Sequence, residues 1–91
     1  MYTIKRVVKL RVKGFEKYDD LKMVDVIFET EDLNELLKAA TKINYNLKLG
    51  DISDLISGES KRAHIKAYIR DSFYGDTNGF ITVDFIVEVT E

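Results

Sequence analysis

The chain has 91 residues, 45% of them hydrophobic and 33% charged, and a formal net charge of -2. A length of this order holds one domain with one hydrophobic core. Fourteen basic residues beside sixteen acidic ones argue against both a generally basic nucleic-acid binder and a DNA mimic, and the absence of cysteine excludes disulfides, thiol nucleophiles and zinc–thiolate sites.

Residues 2–13 alternate: Ile4, Val8, Leu10 and Val12 face one way, and Lys5, Val7, Lys9, Arg11 and Lys13 the other. A period of two over this length predicts a half-buried strand. Gly14 to Asp20, with its glycine, paired aspartates and other charges, reads as a hairpin loop. Residues 21–29 resume the alternation, with Val24, Val26 and Phe28 expected inside and Met23, Asp25, Ile27 and Glu29 outside.

A helix is predicted to start near Thr30 or Asp32, since either side chain can cap it and Glu35 stands at capping-box spacing from Asp32. Leu33, Leu36, Leu37, Ala40 and Ile43 form one apolar stripe at helical spacing, and Gly50 ends the helix at the latest. Ile52, Leu55 and Ile56 predict a short second helical turn, capped by Asp51 or Ser53 and stopped by Gly58.

Residues 62–74 satisfy two patterns. Ala63, Ile65, Ala67 and Ile69 alternate with His64, Lys66, Tyr68 and Arg70, while Ile65, Ile69, Ser72 and Phe73 also fit a helical stripe. The following Asp76-Thr77-Asn78-Gly79 is a hairpin turn signal, and Ile81, Val83, Phe85, Val87 and Val89 alternate after it, which favours a strand. The expected fold is α+β, a single ββαββ domain over residues 1–91: a four-stranded, mainly antiparallel sheet with one main helix on one face and a short second turn. The strand order is expected to be 1-2-3-4 or 2-1-3-4. The third strand should then run antiparallel to the first and parallel to the second.

Groups suited to catalysis are few. His64 is the single histidine and is expected on the outer face beside Lys66 and Arg70, with no orienting carboxylate on its own strand. Gly58-Glu59-Ser60-Lys61 lacks the order of a phosphate loop and reads as a helix stop with a linker. Asp76-Thr77-Asn78-Gly79 departs from a calcium loop, with its glycine in the wrong place and Val87 where a bidentate Glu is required. Asp51 and Asp54 are better explained as helix caps than as metal ligands. Neither an enzyme, nor a cofactor, nor a metal site is expected.

The outer sheet face offers more. The polar faces of the strands are charged in blocks, basic from Lys5 to Lys13 and Arg62 to Arg70, acidic from Asp25 to Glu29 and Asp84 to Glu88. Val7 is expected opposite Ile27, and Tyr68 opposite or diagonal to Ile86. Each strand thus contributes one apolar residue to a centre ringed by charge, the anatomy of a protein interface. The predicted partner-binding residues are Val7, Lys9, Arg11, Ile27, Lys66, Tyr68, Arg70 and Ile86. The partner is a protein, either a second copy or a larger protein that the chain modulates or inhibits. The alternative is single-stranded nucleic acid held by Lys9, Arg11, Lys66 and Arg70 with a base on Tyr68.

The start of the chain lacks the apolar segment of a signal peptide, and no apolar run is long enough to span a bilayer, so a cytoplasmic location without membrane contact is expected. The absence of proline and tryptophan, with abundant Lys, Ile, Asp and Asn, fits an AT-rich bacterial or phage genome. Small inhibitors encoded by phages share this size and makeup, an analogy of type rather than of sequence.

Overall fold

The computed structural model describes residues 1–12, 21–70 and 79–90; the predicted loop from Gly14 to Asp20 and the turn residues before Gly79 fall outside that range. The elements run β1 (Tyr2–Val12), β2 (Leu21–Thr30), α1 (Leu33–Ile43), a 3-10 turn (Leu49–Ile52), α2 (Ser53–Ser57), β3 (Arg62–Arg70) and β4 (Gly79–Val89). The ββαββ order and the α+β class are those expected from the alternation and the single helical stripe.

Helix α1 begins where the sequence places it. Asp32 caps it by accepting from the Asn34 amide at 3.0 Å, and Lys42 in the last turn meets the negative end of the helix dipole. Asn44 closes the helix, its amide donating to the Ala40 carbonyl. Before α2, Asp51 accepts from the Lys48 amide at 2.8 Å and so organises the 3-10 turn. Gly58 ends α2 at φ +84°, a left-handed conformation that favours glycine.

The sheet order is β2-β1-β4-β3, every neighbouring pair antiparallel. This corrects both expected orders. β1 and β4 pair in the centre along their whole length, from Tyr2 opposite Val89 to Val12 opposite Gly79. β3 therefore runs parallel to β1 and antiparallel to β2, the reverse of the expectation. The helical connection carries the chain from one edge of the sheet to the other, from β2 to β3, so that β1 and β4 are left in the middle.

The edge strands each carry one residue that their partner does not match. Ile4 lies opposite Phe28 and Lys5 opposite Val26, leaving Ile27 as a bulge in β2. His64 lies opposite Ile86 and Lys66 opposite Phe85, leaving Ile65 as a bulge in β3. An extra residue exchanges the two faces of the strand beyond it. The two bulges sit one residue apart along the sheet, beside Ile4–Lys5 and Lys5–Arg6 of β1, and the Ile65 carbonyl accepts a 2.9 Å bond from the Asn44 side chain, which ties its bulge to the end of α1.

Helix and sheet differ in reach. Eleven residues of helix span about 16 Å, whereas eleven residues of strand span about 36 Å. The core accordingly occupies one half of the sheet: Ile4, Leu36, Ala40, Leu55, Ile65 and Val87 are buried together, with Phe28, Leu33, Ile43, Ala63 and Phe85 packed around them. Val8, Leu10 and Val83, expected under the helix, lie on the same face beyond this cluster. Val26 and Ile69, also expected inside, are 53% and 71% exposed because the bulges turn them to the opposite face.

Candidate functional site: the open face of the sheet

Of the residues whose side chains are described, the register places sixteen on the face turned away from α1, in four rows across β2, β1, β4 and β3. The first row is Glu29, Thr3, Glu88, Arg62; the second Val26, Lys5, Ile86, His64; the third Val24, Val7, Asp84, Ala67; the fourth Lys22, Lys9, Thr82, Ile69. Each row follows from strand alternation once the two bulges are counted.

Two apolar side chains lie at the centre of this face. Val7 is 8% exposed and Ile86 7%, although no helix or second sheet covers them among the described residues. They stand on the two central strands, and the longer side chains of neighbouring rows shield them. Val24 and Val26 extend the apolar centre toward the β2 edge and are far more open. A shallow groove of about 280 Å³ crosses the face diagonally, from Lys22, Val24 and Lys9 past Val7, Asp84 and Ile86 to Lys5, Glu88, His64 and Arg62.

Charge on this face is sorted by row. Glu88 accepts from Lys5 and from Arg62, each at 2.7 Å. The Lys5 bond, reinforced by Arg62 and opposed by desolvation, holds the Glu88 carboxyl below the ordinary glutamate value. Lys9 and Lys22 stand directly opposite one another in the β1–β2 register, and neither forms an ion pair with a carboxylate among the described residues. Like charges in this position repel across the strands. One end of the face therefore carries Glu29 and Glu88 in its outermost row, with Arg62 bound to Glu88, and the other end two ammonium groups.

The structure gathers only part of the predicted partner-binding set. Val7, Lys9 and Ile86 share the open face, and the nearest β2 neighbour of Val7 is Val24 instead of Ile27. Ile27 sits at the bulge and lines a separate slot of about 320 Å³ between β2 and α1, with Phe28, Lys38 and Ile43. Lys66 and Tyr68 are on the helix side, beyond the helix. The Tyr68 ring stacks on Phe85 with centroids 6.4 Å apart, and the Lys66 ammonium lies 5.6 Å from the Tyr68 centroid. The side chains of Arg11 and Arg70, at the far ends of β1 and β3, lie outside what is described, as does Lys13.

Lys22, Val24 and Val26 were absent from the sequence expectation for this face. The signal available for them was weak: Val26-Ile27-Phe28 is a run of three apolar residues, which permits a bulge without requiring one. Asp25, expected outside, instead pairs with Arg6 at 2.8 Å on the helix side of the sheet.

Among the described residues, no three His, Cys, Asp or Glu side chains cluster as a metal site would require, and no helix is long and apolar enough to cross a membrane. No family model, no curated protein and no solved structure matches the chain.

Proposed function

We propose that the chain is a small, non-enzymatic intracellular binding protein that makes protein–protein contact through the open face of its sheet. The observation that carries this reading is the apolar centre formed by Val7, Ile86, Val24 and Val26 between rows of charge. Scattered outward hydrophobic residues are ordinary on a protein surface, but these four are contiguous, and their charged borders are the anatomy of a contact patch. A contact that covers them removes apolar area from water, while the charged rows set orientation and rate of association.

Nucleic acid fits this face less well. The order β2-β1-β4-β3 sets a strand with acidic residues beside each basic one, and the Glu29 and Glu88 row opposes a phosphate backbone. Tyr68, the aromatic on which the nucleic-acid reading stacks a base, is on the other side of the sheet.

The test uses residues that are already exposed, so that the fold survives the change. A protein partner isolated on the immobilised chain should bind again after purification. Val24→Asp should weaken that binding at least about tenfold, roughly the loss of 1.4 kcal/mol. Leu49→Asp, at an exposed position in the 3-10 turn, should leave it unchanged. Equal binding by the two variants would move the contact elsewhere. Salt-sensitive binding of a single-stranded oligonucleotide that survives Val24→Asp would replace this reading with the nucleic-acid one.

A further inference from the structure

We infer that the open face pairs with the open face of a second copy of this chain, the two sheets stacked with their strands antiparallel. This rests on the open face being a protein contact surface and names the partner. The face is self-complementary in charge, and the register shows how. Its first row carries Glu29 and Glu88 with a single cation, Arg62, and its fourth row carries Lys22 and Lys9 with no carboxylate.

Two sheets packed face to face stand about 10 Å apart with their strands within about 30° of alignment. A two-fold axis lying in the interface along the direction of the rows keeps β2 over β2 and reverses the row order. The first row of one copy then covers the fourth row of the other. Lys22 meets Glu29 of the second copy, and Lys9 falls between that copy's Glu29 and Glu88. The second row covers the third, so Val26 meets Val24 of the other copy and the Lys5 stem lies along Val7. Closed two-fold contacts of this kind repeat every pair twice.

The alternative two-fold, along the strands, places the fourth row on itself. It sets Glu29 on Arg62 of the other copy, but Lys22 on Ile69 and Lys9 on Thr82, so that neither lysine gains a carboxylate. Only the first stacking gives Lys22 and Lys9 carboxylates to face, which offsets the otherwise unfavourable Lys9–Lys22 neighbours. Four strands about 4.8 Å apart make a patch only about 20 Å wide, below the standard interface size. The dimer should therefore dissociate in the micromolar range.

Sedimentation of the purified full chain from about 5 to 500 μM tests the inference, because that range brackets the affinity of a small interface. The wild type should pass from monomer to dimer. Lys22→Glu and Glu29→Lys should each raise the dissociation constant at least about tenfold, and the double variant Lys22→Glu/Glu29→Lys should recover to within about threefold of wild type. Circular dichroism and melting temperature confirm that each variant is folded. Failure of the exchanged pair to recover, or a dimer indifferent to both single reversals, would overturn the proposed pairing. A wild type that stays monomeric at every concentration would overturn the second-copy assignment while leaving contact with a different protein standing. A dimer unaffected by the reversals and by Val24→Asp would count against the open face itself.

Discussion

The central strands and the edge strands of this sheet follow different rules, although their sequences look alike. β1 and β4 pair without interruption, and every described side chain lies on the face that strict alternation assigns. β2 and β3 alternate equally well on paper, yet each contains one unmatched residue, and beyond it the faces are exchanged. A central strand is held from both sides, so an extra residue would disturb two ladders. An edge strand has one ladder and can absorb the insertion on its free side. Alternation is therefore a local signal, and its phase is secure only where both neighbours enforce it.

The sharpest way to break this comparison is through the core. Ile4 on β1 and Ile69 on β3 were both expected inside. Ile4 is fully buried against α1, whereas Ile69 lies on the open face. Ile4→Ala should cost about 2–5 kcal/mol through lost burial and the cavity left behind. Ile69→Ala should cost no more than about 0.5 kcal/mol. Urea denaturation of the two variants measures both, and equal losses would mean that β3 keeps its simple phase.

Tyr68 gives the next largest effect. A tyrosine on the open face would contribute to association and little to stability. Stacked on Phe85 and covered by Lys66, it should do the reverse. Tyr68→Ala should lower stability by about 1–2 kcal/mol, the combined scale of an aromatic pair and an exposed cation–π contact. Association through the open face should be unchanged in sedimentation. Loss of association with undiminished stability would return Tyr68 to the contact surface.

A smaller and pH-dependent effect belongs to Glu88, at the junction of the central strands with β3. Its carboxyl is held below the ordinary value chiefly by Lys5. A lowered folded-state value stabilises the fold above the unfolded value of about 4.3, and that stabilisation is lost as the pH falls through the folded value. Glu88→Gln should cost about 1 kcal/mol near neutral pH, a figure kept low because Arg62 reaches solvent. The gap between wild type and variant should hold from neutrality to mild acid and close in stronger acid, read from denaturation curves at a concentration where the chain is monomeric. A gap that widened on acidification would contradict the assigned pairing.

Much of the fold was legible in the sequence because the cues were local. Asp32, Gly58 and the Leu33–Ile43 stripe marked the helices, and period-two runs marked all four strands. Strand order was not legible, because it depends on where a long helical connection delivers the chain, and both expected orders kept β3 away from the edge it occupies or β4 away from the centre. The candidate site was legible on β1 and β4, where Val7, Lys9 and Ile86 share the open face. On β2 and β3 it was not, because nothing in the residue types of Ile27 or Ile65 distinguishes a bulged isoleucine from a paired one.

The smallest expected effect separates the two phases of β2 most cleanly. Under simple alternation Val26 is a core residue beside Phe28, and a lysine there would bury an ammonium group without a partner, at a cost of several kcal/mol. With Ile27 as the bulge, Val26 is on the open face opposite Lys5, about half exposed. Val26→Lys should then cost less than about 1 kcal/mol, most of it from weaker strand propensity and the nearness of Lys5. Its principal consequence should instead be on association, where it replaces a Val26–Val24 contact with a charge. A folded, nearly wild-type-stable Val26→Lys variant that no longer self-associates would place the bulge and the contact face in one measurement. A variant that unfolds would restore Val26 to the core and remove the edge-strand phase on which the open face depends.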